Sequence, residues 1–198
     1  MPSVAAMTDA KRTLRAAART VQRAAHAAAG RGAGEWLREN FKRALTPAPG
    51  AVISGYWPME SEMDPRMLMS DLAGQGHPLC LPVVQGRGKP LVFRAWRKGD
   101  AMVPGSLGIP APGPDAAVLT PSLLLVPLLA FDREGFRLGH GAGYYDMTLA
   151  GLRAAGPVLA VGIAYAGQEV ARVPREAHDQ PLDWVVTEGE AIRIGAKA

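Results

Sequence analysis

Leu123-Leu124-Leu125-Val126-Pro127-Leu128-Leu129-Ala130 is apolar almost without interruption. The stretch after it, Phe131-Asp132-Arg133-Glu134-Gly135-Phe136-Arg137-Leu138-Gly139-His140-Gly141-Ala142-Gly143-Tyr144-Tyr145-Asp146, is rich in glycine and charge. A strand with one face in water alternates apolar and polar residues. A run that is apolar on both parities fits a strand covered on both faces, as in a parallel sheet between helical layers. Pro127 weakens the far end of that strand, because proline cannot donate to the ladder. Beyond the glycines, the pattern predicts a helix from about Tyr144 to Ala155, a strand over 158–165 and a last strand over 184–187.

Upstream, the periods alternate in the same way. Leu14, Ala17, Ala18, Val21, Ala25 and Ala28 line one helical face, with Thr8 or Asp9 as the cap and Gly30 as the stop. A second helical pattern covers 35–45 and breaks at Thr46-Pro47-Ala48-Pro49-Gly50. A short strand follows from Ala51. Asp64-Pro65 reads as a cap with proline at the first helical position, opening a helix that runs to Gly74. Apolar runs at 79–84 and 91–96, joined by Gln85-Gly86-Arg87-Gly88-Lys89-Pro90, predict a hairpin with a long loop. Residues 99–121 read as an irregular connection. Strands alternating with helices place the chain in the α/β class with a largely parallel sheet. No repeat or linker divides it, so 1–198 reads as one domain with 1–10 and 192–198 frayed.

Composition narrows the chemistry. The chain has 198 residues, 48% hydrophobic and 20% charged, with a net charge of +4. That is an ordinary globular mixture, with a small basic excess that suits a phosphorylated or carboxylate-bearing small molecule. The single Cys80 excludes an internal disulfide framework and a cysteine-clustered zinc site, and its apolar neighbours mark it as core filler. No run approaches the roughly 18 apolar residues of a membrane span. The start lacks a secretory signal, and the cytoplasm is the expected location.

Three groups carry chemistry. Gly139, Gly141 and Gly143 let backbone N–H groups approach a phosphate without a Cβ in the way. The helix from Tyr144 points its positive end at the same place, and Arg137 adds a guanidinium fork. The loop has neither a Walker ending nor a dinucleotide fingerprint. Asp146, just inside the helix, is either a dipole partner or a magnesium ligand. His178-Asp179, on a proline-flanked loop, supplies a second carboxylate. Tyr56-Trp57-Pro58-Met59-Glu60-Ser61-Glu62-Met63-Asp64 follows the first strand, where open α/β sheets place ligand-contacting loops. Its aromatic and carboxylate groups suit a heterocycle with N–H donors. Lys11 and Arg15 share a helix face and read as an anion clamp. Arg19 and Arg23 read as a solvated face.

These segments, from Lys11-Arg12-Thr13-Leu14-Arg15 through Leu81-Pro82-Val83, Gly108-Ile109-Pro110-Ala111-Pro112 and Arg137–Asp146 to Leu182-Asp183, appear in the order seen in a known family. The chain resembles the 5-formyltetrahydrofolate cyclo-ligase family, from Lys11 to about Glu188. The resemblance implies a single Rossmann-like α/β domain, a largely parallel central sheet flanked by helices, and ATP- and magnesium-dependent conversion of 5-formyltetrahydrofolate to 5,10-methenyltetrahydrofolate through a phosphorylated formyl group. It implies that Lys11, Arg12, Thr13, Leu14, Arg15 and the run Arg137, Leu138, Gly139, His140, Gly141, Ala142, Gly143, Tyr144, Tyr145 bind ATP. It places the folate on Arg15, Met59, Glu62, Asp64, His140, Gly141, Ala142, Gly143 and Tyr144, with either Glu62 or Asp64 as the main pterin contact. Asp146 and Asp179 look like the magnesium ligands, and Arg137, Tyr144 and Asp146 like the catalytic set. The expected partners are the folate and ATP alone, with no nucleic acid and no membrane, acting on a monomer.

Three positions depart from the pattern: Met147 where many relatives carry Arg, His140 at a variable loop position, and Leu107 where some relatives carry an aromatic folate contact. Two other readings remain open on the residues: a nucleotide-binding relative acting on another acyl-amine, and a nucleic-acid-binding module on the basic helix 11–31. The second lacks the stacking aromatics such a surface needs.

Overall fold

A computed structural model describes residues 4–195; the side chains of residues 4–6, Arg31 and Leu107 lie outside the description. In chain order it contains α1 (Val4–Ala29), α2 (Ala33–Ala44), β1 (Ile53–Ser54), α3 (Arg66–Gly74), β2 (Leu79–Val83), β3 (Val92–Ala95), β4 (Met102–Pro104), β5 (Pro110–Pro112) and β6 (Val118–Leu119). Then come β7 (Leu123–Pro127), β8 (Ala130–Phe131), β9 (Arg137–Leu138), α4 (Tyr144–Ala155), β10 (Leu159–Ile163), β11 (Trp184–Val186) and β12 (Ala191–Arg193).

The main sheet has eight strands in the order β12-β11-β10-β7-β1-β2-β3-β6. Its inner strands β11, β10, β7, β1 and β2 run parallel. The edges join by antiparallel pairing. Mixed edges on a parallel centre are common in α/β sheets.

The apolar run at β7 explains the layering. Leu123 and Leu125 point to one side, where they pack with Leu37 and Phe41 of α2 and Leu68, Met69 and Leu72 of α3. Leu124 and Val126 point to the other, against Cys80, Phe93 and Leu149 of α4. Alternation along a strand therefore feeds two cores at once. Each fully buried Leu or Phe is worth roughly 1.5–3 kcal/mol relative to exposure. Helix α1 lies on a third cluster, with Ala18 against Leu129, Ala130, Leu138 and Val173. It is tied down by Gln22 Nε2, which donates to Leu128 O at 3.2 Å, and by a 2.8 Å contact between His26 and the Tyr165 hydroxyl.

Several expectations are corrected. Helix α1 begins at Val4, ahead of Thr8 and Asp9, so 4–10 is helical; residues 1–3 and 196–198 lie outside the described ones. Pro65 itself caps α3, while Asp64 Oδ1 accepts the Arg66 N–H at 2.9 Å. The irregular stretch 99–121 contains the β4–β5 hairpin and the edge strand β6. These segments are too short and proline-rich to show a period of two. The β8–β9 hairpin was also hidden, because its turn is organised by one buried side chain. Asp132 Oδ1 accepts the N–H groups of Glu134 and Phe136, and Oδ2 that of Val173. Gly135, at φ 88°, is required in that turn: a Cβ there would lie 2.7 Å from Ile194 Cγ2 and 2.9 Å from Leu182 O. Strand β12 pairs with β11 within a segment read as frayed.

Candidate active site

Strand β1 lies between β7 and β2, so the chain leaves its two neighbours in opposite directions. Ligands in open α/β sheets sit outside the carboxyl ends of the strands at such a point. A cleft of about 380 Å³ opens there. Its walls include the loop after β1 (Tyr56, Trp57, Met59, Glu62), the end of β2, the last residue of β7, the glycine loop into α4, three residues of α1 (Thr8, Lys11 and Arg15), and the 176–179 loop.

The loop after β1 is braced from within. The buried Tyr56 hydroxyl donates to Met63 O, and burial above all holds that phenol protonated, well above its usual range. Glu62 N donates to Met59 O at 2.8 Å, while Glu62 Oε2 accepts the Met59 N–H at 2.9 Å. The Trp57 and Trp96 rings meet edge to face at 6.2 Å. Glu60 stands at φ 41° at the tip, a conformation uncommon outside glycine.

The opposite wall begins with Arg137. Its side chain is 4% exposed. One guanidinium nitrogen donates to Asp146 Oδ1 at 2.8 Å and the other to Gln180 O at 2.6 Å. Asp146 Oδ1 also accepts the Gln180 N–H at 3.0 Å. Burial lowers the guanidinium's pKa from its ordinary value, opposed by Asp146. The fork expected to grip a ligand is therefore engaged in holding Asp146 and the 176–180 loop. Gly143, left-handed at φ 69°, starts α4, so the helix presents unsatisfied N–H groups to the cleft. Arg15 Nε donates to Gly139 O at 3.0 Å. Its guanidinium lies so close over Gly141, at φ 109°, that a Cβ there would be 3.3 Å from Arg15 Cζ.

Lys11, 8% exposed, donates to Asp179 Oδ2 at 2.6 Å and Glu176 Oε2 at 2.8 Å. Burial lowers its pKa, but the hydrogen bonds and charges of Asp179 and Glu176 outweigh that and leave it raised. Across the cleft, His140 Nε2 lies 3.0 Å from Glu62 Oε1.

Lys11, Arg15, Met59, Glu62, Asp179 and every residue from Arg137 to Asp146 line this one cleft. Arg12, Thr13, Leu14 and Asp64 do not. On a helix, residues one and two positions from Lys11 rotate off its face, whereas Leu14, three positions on, is drawn into packing instead. Arg12 accordingly pairs with Asp9 in solvent, and Leu14 packs on the third core cluster. Asp64 is held by Arg66 outside the cleft, through contacts down to 2.6 Å, which leaves Glu62 as the carboxylate of that loop inside it. Asp146 and Asp179 stand in different settings: Asp146 on Arg137, Asp179 grouped with Glu176 and His178, whose ligand atoms lie within 4.8 Å. Glu176 escaped the sequence-based reading, while Tyr56 and Trp57, read there as aromatics of the loop after the first strand, line the cleft as well. In the fold, Asp179 Oδ2 accepts the Glu176 N–H at 2.7 Å and bends the loop back on itself. Leu107 lies outside the described side chains. Arg19 and Arg23 are exposed, as a solvated face requires.

A family model described as the 5-formyltetrahydrofolate cyclo-ligase family matches residues 7–188. A 5-formyltetrahydrofolate cyclo-ligase of Mycolicibacterium smegmatis is 32% identical over 151 residues, which cover 72% of this chain and 76% of that one. One of Escherichia coli is 32% identical over 142 residues, 69% of this chain and 77% of its own. The NMR structure of an Aquifex aeolicus 5,10-methenyltetrahydrofolate synthetase superposes with a TM-score of 0.71 at 26% identity, covering 97% of this chain and 94% of that one. A Mycoplasma pneumoniae 5,10-methenyltetrahydrofolate synthetase shares the fold, with a TM-score of 0.67 at 20% identity over 90% of this chain and 98% of that one.

Proposed function

The chain belongs to the 5-formyltetrahydrofolate cyclo-ligase family, and on that premise we propose that its cleft closes 5-formyltetrahydrofolate to 5,10-methenyltetrahydrofolate at the expense of ATP. The observation that carries this reading is the joint presence, in one cleft, of a glycine loop and cations on one wall and an aromatic, carboxylate-bearing loop on the other.

The formyl oxygen is a poor leaving group. In the proposed reaction it takes the γ-phosphoryl group and ADP departs. N10 then attacks the activated carbon, the carbon–oxygen bond breaks, and phosphate leaves with the formyl oxygen and the N10 proton. Catalysis of this kind needs positioning and neutralisation of charge rather than a protein nucleophile, which agrees with a cleft lacking a reactive cysteine or serine–histidine pair among its described contacts. Lys11 and Arg15 supply charge toward the phosphates, with the N–H groups of the glycine loop and the start of α4. Tyr144 stands at that same helix start, and Arg137 keeps Asp146 in place. Glu62 meets the N–H edge of the pterin, with Met59 and Trp57 against its ring.

Magnesium, when bound, supplies positive charge beside the phosphate oxygens. The residues fit a hard cation, since Asp146, Asp179 and Glu176 offer carboxylate oxygens and both hydrogen bonds of Asp146 described above use Oδ1 alone. Asp146 and Asp179 are the proposed ligands, with Glu176 next to Asp179.

The site draws on residues from Thr8 to Asp179, which supports one domain acting on small molecules; a monomer, with neither nucleic acid nor membrane as partner, is part of the proposal. No described helix is long and apolar enough to cross a membrane. The cytoplasm is the proposed location.

The test is direct. Purified protein with ATP, magnesium and 5-formyltetrahydrofolate is expected to develop the near-ultraviolet absorbance of the methenyl product. No absorbance at high enzyme concentration, with ATP hydrolysis stimulated by another acyl-amine, would overturn the assignment.

A further inference from the structure

We propose that His140 is a positioning residue, one that sets the carboxylate of Glu62 and ties the substrate-side loop to the glycine loop. The inference rests on the reading that Glu62 receives the pterin.

Glu62 is 5% exposed and is held from two directions. Its own loop engages Oε2 through the Met59 N–H at 2.9 Å. Its other oxygen is met from across the cleft by His140 Nε2 at 3.0 Å, over 78 positions of sequence. An ionised carboxylate only accepts, so His140 must carry a proton on Nε2, as the neutral Nε2–H tautomer or as imidazolium. With both oxygens engaged, the plane of the carboxylate is set before a ligand arrives. That is the condition under which a positioned group contributes most.

The histidine itself is anchored through its neighbours. Arg15 Nε bonds Gly139 O on one side, and the Arg15 guanidinium packs on Gly141 on the other. Arg15 of α1 thus clamps the backbone on both flanks of His140 and leaves its imidazole directed at Glu62. Arg15 belongs to the phosphate side of the cleft and Glu62 to the heterocycle side, so His140 is the side-chain link between them. His140 belongs to none of the buried clusters, so its replacement leaves the core intact.

The experiment compares His140→Ala with His140→Gln, which keeps an N–H donor. In steady-state assays, His140→Ala is expected to raise the KM for 5-formyltetrahydrofolate roughly tenfold or more, as for a lost hydrogen bond to a charged group, with kcat changed much less. His140→Gln should recover most of that loss. In a Glu62→Gln background, His140→Ala should add little further. Direct folate binding, followed by tryptophan fluorescence, should show the same order. An unchanged KM in His140→Ala, a His140→Gln that behaves like Ala, or full additivity with Glu62→Gln overturns the proposal. Failure of the wild-type protein to make the methenyl product overturns the reading beneath it instead.

Discussion

The ammonium of Lys11 lies 2.6 Å from the carboxylate of Asp179, a contact that joins α1 to a loop 168 residues away. With Glu176 Oε2 at 2.8 Å, it makes Lys11 the counter-charge of the acidic loop. The same ammonium is proposed to face phosphates. Replacing it therefore acts on two ligands with opposite sign. Lys11→Met is expected to weaken nucleotide binding at least tenfold and, without nucleotide, to tighten binding of a divalent cation to the freed carboxylates. Manganese titration followed by electron paramagnetic resonance separates the two. Equal or weaker cation binding in Lys11→Met would contradict this role.

The pH dependence of the same pair has a definite sign. Lys11 is raised above its ordinary 10.5, burial being outweighed by bonds and charge from Asp179 and Glu176. A group whose folded pKa lies above its unfolded one stabilises fully below the unfolded value and loses that contribution as pH rises through the folded one. The stability gap between wild type and Lys11→Met should hold steady from pH 7 to 9 and narrow above about 10.5. Urea unfolding across that range provides the measurement. A gap that widens with alkalinity would refute the assignment.

Asp146 balances a guanidinium that is 4% exposed. Removing one partner of a buried pair typically costs about 3–5 kcal/mol, because the other charge is left uncompensated. Asp146→Ala should approach that loss of stability. Asp146→Asn, which keeps an acceptor for Arg137, should lose less. Both should lower turnover, and added magnesium should restore part of it in Asp146→Asn. Thermal unfolding that shows Asp146→Ala as stable as wild type would separate Asp146 from Arg137.

The buried hydroxyl of Tyr145 has no hydrogen-bond partner among the described residues, and burial, followed by the charge of Glu62, pushes its pKa up. An unsatisfied buried polar atom costs about 1–3 kcal/mol. Tyr145→Phe is therefore expected to stabilise the ligand-free protein by about 1 kcal/mol. Calorimetry without ligands checks it; a clear loss of stability would show that the hydroxyl is satisfied in solution.

Cys80 is fully buried, and burial pushes its thiol up to about 12. A thiolate is the reactive form, so native protein should resist a disulfide reagent that labels the unfolded chain at once. Cys80→Ala should keep catalytic activity. Rapid labelling of the native state would show that β2 opens far more readily than its position in the sheet implies.

Elements with long, uniform patterns were legible in the chain. Helix α4 begins and ends where glycine and apolar spacing put it, and Leu123 to Val126 announced a strand buried on both faces. Short elements left no period to read: β4, β5 and β8 are two or three residues long, and their pairing depends on partners distant in sequence. The resemblance collected most of the site, because its motif is local from Arg137 to Asp146.

The sequence by itself determined the class of fold, the family and the residue types available for phosphate and heterocycle, since these follow from periodicity and from a contiguous motif. Tertiary structure alone decided which of them share the cleft. It turned Arg12 and Thr13 off the Lys11 face, packed Leu14 on the third core cluster, and gave Asp64 to Arg66 while leaving Glu62 to His140. It also engaged Arg137 with Asp146. The pairings of Lys11 with Asp179 and of Glu62 with His140 join residues far apart in the chain, so distance and burial settle them only once the sheet has brought those segments together.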